Sequence, residues 1–98
     1  MERKVVWNKR PSKFFARALI RISEESFKNA EIVEDAVLSA IEGVIAQPER
    51  YPADKYKTNN TGNYRAFETH SYRVAYRFTD TEIRILRIRH VKQEPKTY

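Results

Sequence analysis

The sequence predicts an α+β domain: a strand, two helices and then three strands, with the helix hairpin packed on one face of an antiparallel-rich sheet. Three observations carry this. Apolar residues recur at helical spacing between Pro11 and Pro48. From Tyr64 onward they alternate with a period of two. Between these stretches, residues 47–62 ("QPERYPADKYKTNNTG") gather two prolines, two asparagines and a glycine, residues that favour turns and loops. The chain has 98 residues, 41% hydrophobic and 33% charged, which suits one globular domain over 1–98 rather than a disordered segment.

Val5-Val6-Trp7 is a short apolar run of strand formers. Pro11 suits the first turn of a helix, and Phe14, Phe15, Ala18, Leu19 and Ile22 follow on one face, giving a helix from about Pro11 to Phe27. Arg17 and Arg21 take the other face. Asn29 is read as the cap of a second helix, with Glu31, Glu34 and Asp35 in its first turns near the positive end of the dipole. Val33, Val37, Ala40, Ile41 and Val44 form its apolar stripe, and Pro48 stops it. Residues 47–62 form a long irregular connection. Tyr64 to Thr69, Tyr72 to Phe78 and Ile83 to His90 are the three later strands, the last two joined by a turn at Thr79-Asp80-Thr81-Glu82.

The last strand breaks its own alternation. Ile83 and Ile85 are apolar in one phase, Ile88 and Leu86 in the other. A β-bulge near Ile85-Leu86 reconciles the phases, because a bulge adds one residue to one strand. Arg73, Arg77, Arg84, Arg87 and Arg89 then share a face, with Tyr72, Val74, Tyr76, Phe78, Ile83 and Ile88 on the other. The alternative is a strand partly buried on both faces.

The formal net charge is +6. Residues 65–98 hold eight Lys/Arg against four Asp/Glu, so the excess concentrates in the last third. Like charges on neighbouring strands repel. An anionic partner would relieve this, so Arg73, Arg77, Arg84, Arg87, Arg89 and Lys92 are candidate contacts for an acidic protein segment or for nucleic acid. The chain has no cysteine, which excludes disulfides and thiolate metal sites and fits a reducing cytoplasm. Two histidines, His70 and His90, are too few for a zinc site without carboxylate help, and neither a metal nor another cofactor is expected. No apolar run approaches the length of about 20 residues that a membrane-spanning helix needs. The apolar stretch after Met1-Glu2-Arg3-Lys4 is too short for a signal peptide.

"VVWNKRPSKFF", "NYRAF", "YRVAYRF" and "IRILRIRHVKQEP" together resemble the RelE/ParE superfamily of toxins from type II toxin–antitoxin modules, including its plasmid-stabilisation branch. The most specific part is Tyr72-Arg73-x-x-Tyr76, followed by the Ile-x-Ile-Leu run and His90. The resemblance implies a cytoplasmic, growth-inhibiting toxin held in check by a cognate antitoxin with an acidic binding segment, the assembly being a dimer or a toxin–antitoxin hetero-oligomer with no membrane part. Two mechanisms occur in the superfamily. ParE-like members inhibit DNA gyrase, and the "RIRHVKQEP" tail resembles that branch. RelE-like members are ribosome-dependent mRNA endoribonucleases (mRNA interferases). For that alternative, Arg65, Arg73 and Tyr98 resemble residues of the nuclease branch, and His90, an acid or base by its imidazole chemistry, completes the candidate catalytic set, with Glu68 as a further candidate base. Phe67 and Gln93 stand where RelE has basic residues, which favours the non-cleaving reading. A basic nucleic-acid-binding domain unrelated to toxins is the third hypothesis.

Overall fold

A computed structural model describes residues 2–98. Strand β1 (Lys4–Trp7) leads into helices α1 (Lys9–Glu25) and α2 (Phe27–Ala46), followed by β2 (Tyr64–Thr69), β3 (Tyr72–Phe78) and β4 (Glu82–His90). The four strands form one mixed sheet in the order β1-β4-β3-β2. The pairs β2–β3 and β3–β4 are antiparallel, and β1 lies parallel to β4. The helix hairpin covers one face, with α1 lying along β4. Among the described residues, no helix is long and apolar enough to cross a membrane.

The helices meet the sheet through the stripes that the periodicity marks. Phe15, Ala18, Val37, Ile41 and Val44 are buried against Tyr72, Val74, Tyr76, Ile83, Ile85 and Ile88, with Phe14 and Leu19 packed at the edge. Each element has one apolar face, and only mutual burial removes all of them from water.

The helix junction differs from the sequence reading. It is the single residue Ser26, not a segment ending at Asn29. The Ser26 hydroxyl accepts the Asn29 backbone N–H at 3.1 Å, so serine caps α2 and Asn29 lies inside its first turn. Glu31, Glu34 and Asp35 consequently stand beyond that turn.

The irregularity in β4 is present. Ala75 pairs with Arg87 while Tyr76 pairs with Ile85, which leaves Leu86 as the extra residue. Before the bulge Ile83 and Ile85 point to the helices; after it Ile88 does. Both isoleucines before the bulge are fully buried. The register then places all five hairpin arginines on the sheet face away from the helices.

Candidate functional site on the arginine face

Arg73, in the middle of the sheet, directs one guanidinium nitrogen to Asp54 Oδ1 at 2.8 Å and another to Glu68 Oε2 at 3.0 Å. Glu68 comes from the neighbouring strand, directly opposite Arg73 in the β2–β3 register. Asp54 comes from the long connection and is the one buried charged residue among the described residues. Its carboxylate is fully engaged. Oδ1 also accepts the Tyr56 backbone N–H at 3.1 Å, an Asx-turn, and Oδ2 accepts the Tyr98 hydroxyl at 2.6 Å. Burial pushes the Asp54 carboxyl up, but the bonds from Tyr98, Arg73 and the Tyr56 N–H outweigh it and hold it below its ordinary value. Burial and the Asp54 carboxylate both push the Tyr98 phenol well above its usual range. For Arg73, burial works against the charge, and the two carboxylates more than restore it.

Two aromatic rings roof this node. Arg73 lies 4.9 Å and Arg89 5.5 Å from the Tyr56 ring centre, and Arg87 lies 4.7 Å from that of Tyr98. The tail that carries Tyr98 is stitched to the connection. The Tyr98 backbone N–H donates to Tyr56 O at 3.0 Å, and the Thr58 N–H and hydroxyl both donate to Tyr98 O, at 2.7 and 2.9 Å. A cavity of about 80 Å³ remains between Asp54, Tyr56, Arg73, Arg87, Arg89 and Tyr98.

The repulsion expected among the arginines is thus relieved largely within the chain. Glu82 takes two of them, Arg84 at 2.7 Å and Arg77 at 3.5 Å, and Arg84 also donates to the Asn8 side chain at 3.0 Å. The hydrogen bond from Arg84 holds the Glu82 carboxyl below its ordinary value. Arg87 and Arg89 are different. Their partners are backbone carbonyls, of Lys96 at 2.8 Å and of Gln93 at 3.1 Å respectively. No carboxylate lies within 4 Å of either among the described residues. With Lys92 and Lys96 in the exposed tail, they carry the unneutralised charge of this face.

Of the four residues implied for nuclease chemistry, the structure brings together two. Arg73 and Tyr98 meet through Asp54. Arg65 does not join them, because it pairs opposite Tyr76 and so stands on the helix-side face. There it donates to Gly62 O at 2.7 Å and to Tyr51 O at 3.1 Å, clamping the two ends of the long connection. His90 pairs opposite Tyr72, also on the helix side, and its ring sits edge-on to Tyr72 at 5.3 Å. Its Nδ1 accepts the Lys92 N–H at 3.1 Å. Phe67 is a buried core residue. Tyr98 packs on the arginine face, its ring edge-on to Tyr64 and under Arg87.

Sequence pattern singles out neither Asp54 nor Tyr56. The signal was there in Pro52-Ala53-Asp54-Lys55-Tyr56: an aspartate two residues before the N–H it captures, as an Asx-turn requires.

The helix hairpin covers one face of a four-stranded mixed sheet, and arginines project from the other. The family described as "ParE toxin of type II toxin-antitoxin system, parDE" matches residues 5–95, and the chain belongs to it. A search of the curated proteins finds no match.

Proposed function

We propose that this chain is a toxin that binds and inhibits DNA gyrase without cutting RNA, and that a cognate antitoxin neutralises it by laying an acidic segment across Arg87, Arg89 and Lys92. Family membership supports a toxin with an antitoxin partner. One observation favours the non-cleaving mechanism: Arg73 is closed into ion pairs with Asp54 and Glu68, and the Tyr98 hydroxyl is spent on Asp54. Metal-free cleavage of RNA needs a base for the 2′-OH, an acid for the leaving oxygen and free positive charge at the phosphate. Here the arginine and the phenol satisfy a carboxylate instead, and Arg65 and His90 stand on the opposite face.

The alternative, ribosome-dependent mRNA cleavage, draws support from the cavity that Arg73, Arg87, Arg89 and Tyr98 share. It requires Asp54 to release both Arg73 and Tyr98. The two are separated by giving the purified protein to a gyrase supercoiling reaction and, in parallel, to a translating ribosome with labelled mRNA. Loss of supercoiling with intact mRNA is the expected result. Intact supercoiling with cleaved mRNA would overturn it. In the nuclease case Arg73→Ala should remove on the order of 2–4 kcal/mol of transition-state stabilisation. Antitoxin affinity should fall with added salt, because its contacts are to exposed or half-exposed charges.

A further inference from the structure

The outer face of the helix hairpin carries charge in a self-complementary arrangement. Helix α1 holds five Lys/Arg against two Glu, a net +3, and α2 holds four Asp/Glu against one Lys, a net −3. All of these side chains are exposed. None has an ion-pair partner within 4 Å among the described residues, although opposite charges lie on adjacent helices. Beside these charges stand large apolar side chains that the fold leaves in water. Ile20 of α1 is 61% exposed and Phe27 of α2 is 71% exposed. They border one shallow cleft with Ser23, Ala30, Glu31 and Glu34. Phe27, Glu31, Glu34 and Leu38 follow at three- and four-residue spacing, so they form one stripe along α2, and Leu38 is 43% exposed.

We propose that two copies of this chain associate through these hairpins, α1 of one copy on α2 of the other, as a two-fold four-helix bundle. A two-fold axis parallel to the hairpin sets α1 antiparallel on the partner's α2. Arg17 and Arg21 of each copy then approach Glu31 and Glu34 of the other, and Ile20 and Phe27 of both copies meet near the axis. An isologous contact needs a surface that matches itself. One positive and one negative helix flanking an apolar seam meets that requirement, whereas a surface of a single sign would repel its own copy. Helices of this length run about 25–30 Å and lie about 10 Å apart, which offers on the order of 500 Å² per copy, below the usual size of a stable interface. The dimer is therefore weak, on the order of micromolar. The arginine face lies on the far side of the sheet, so both copies keep it open to an antitoxin. The inference does not depend on which target the toxin inhibits.

Sedimentation equilibrium of the purified chain, from low to high micromolar concentration, tests this. The wild type should show a reversible monomer–dimer equilibrium. Ile20→Asp/Phe27→Asp should weaken it at least about tenfold with an unchanged circular dichroism spectrum, because both residues are exposed. The charge argument has its own test in two variants, Arg17→Glu/Arg21→Glu and Glu31→Lys/Glu34→Lys. Each alone should be monomeric, since each presents two helices biased to one sign, and a mixture of the two should form a one-to-one heterodimer. A wild type that stays monomeric throughout overturns the proposal. So does a dimer that survives Ile20→Asp/Phe27→Asp, or a mixture of the charge variants that does not associate.

Discussion

The two faces of the sheet are sealed by different physics. On one, α1 and α2 cover Val74, Tyr76, Ile83 and Ile85, all fully buried, and burial of apolar surface does the holding. On the other, a loop and a tail without regular structure are tied down by a buried carboxylate, a phenol and an arginine. Apolar burial is non-directional, so it tolerates small errors of position. An ion pair with shared hydrogen bonds does not: it is strong while every partner is present and costly once one is missing. The helix side should therefore behave as scaffold and the arginine side as a device that can be released.

The harshest test of that division is Ile85→Asp. Ile85 is fully buried under the helices. The substitution forfeits about 1.5–3 kcal/mol of apolar burial and places an unpaired carboxylate in the core, which costs more. The sum rivals the roughly 5–15 kcal/mol that hold a domain together. The variant should lack a cooperative thermal transition; a native-like transition would show that apolar burial does not hold the helix side. Deletion of Leu86 should be far milder, because Ile83, Ile85 and Ile88 then alternate regularly with Arg84, Arg87 and Arg89 and both faces keep their residues.

Asp54→Ala should divide the two regions. Arg73 keeps Glu68 but loses its buried partner, and Tyr98 loses its acceptor. The expected cost is about 2–3 kcal/mol, under the 3–5 of a fully buried pair because Glu68 remains. The tail should be freed while the helix side stays intact. Trypsin should then cut after Lys92 and Lys96 far faster than in the wild type, with the amides of β3 and β4 still protected from exchange. Equal proteolysis of the two proteins would mean that the Tyr56 and Thr58 backbone bonds hold the tail by themselves.

The pH range of the latch sharpens the same point. Asp54 titrates below its unfolded value of about 3.9, so its contribution is complete above that pH and is lost as pH falls through the folded value. Tyr98 titrates above its unfolded value of about 10, so its contribution is complete below that pH and is lost as pH rises further. The tail should stay docked between about pH 4 and pH 10 and loosen outside that window. Tyr98→Phe removes the hydroxyl bond at a cost of about 1–2 kcal/mol and should abolish the alkaline limb, while moving the acid limb to higher pH because that bond helps to hold the Asp54 carboxyl down. Chemical shifts of residues 92–98 would follow both limbs. Tyr76 belongs to the helix side, and burial lifts its phenol to about 12, with its hydroxyl bonded to Pro48 O at 2.7 Å. Its transition should come before the alkaline loosening of the tail, because the Tyr98 phenol is held higher still.

The smallest effect lies in the turn that sets the register of both faces. His70 and Ser71 join β2 to β3 with φ of 47° and 72°, a conformation that favours Asn-Gly. Replacing the pair by Asn-Gly should raise stability by about 0.5–1 kcal/mol and leave both faces unchanged. A loss of stability would mean that the His70 ring, whose Nδ1 lies 2.9 Å from the Thr69 hydroxyl, contributes more than the strain removes.

Local periodicity in the sequence determined the order of elements, the apolar stripes that meet in the core and the phase break that required an extra residue at Leu86. These follow from the pitch of a helix and the pleat of a strand, which act over a few residues. The tertiary structure decided which charges meet. Asp54 lies 19 residues from Arg73 and 44 from Tyr98, and the path of an irregular loop brings them together. Arg65 and Arg73 look alike in sequence, yet the register of a two-residue turn sends them to opposite faces. Ion pairs are short-ranged in space and indifferent to separation along the chain, so residue type proposes the partners, and only register and loop path select among them.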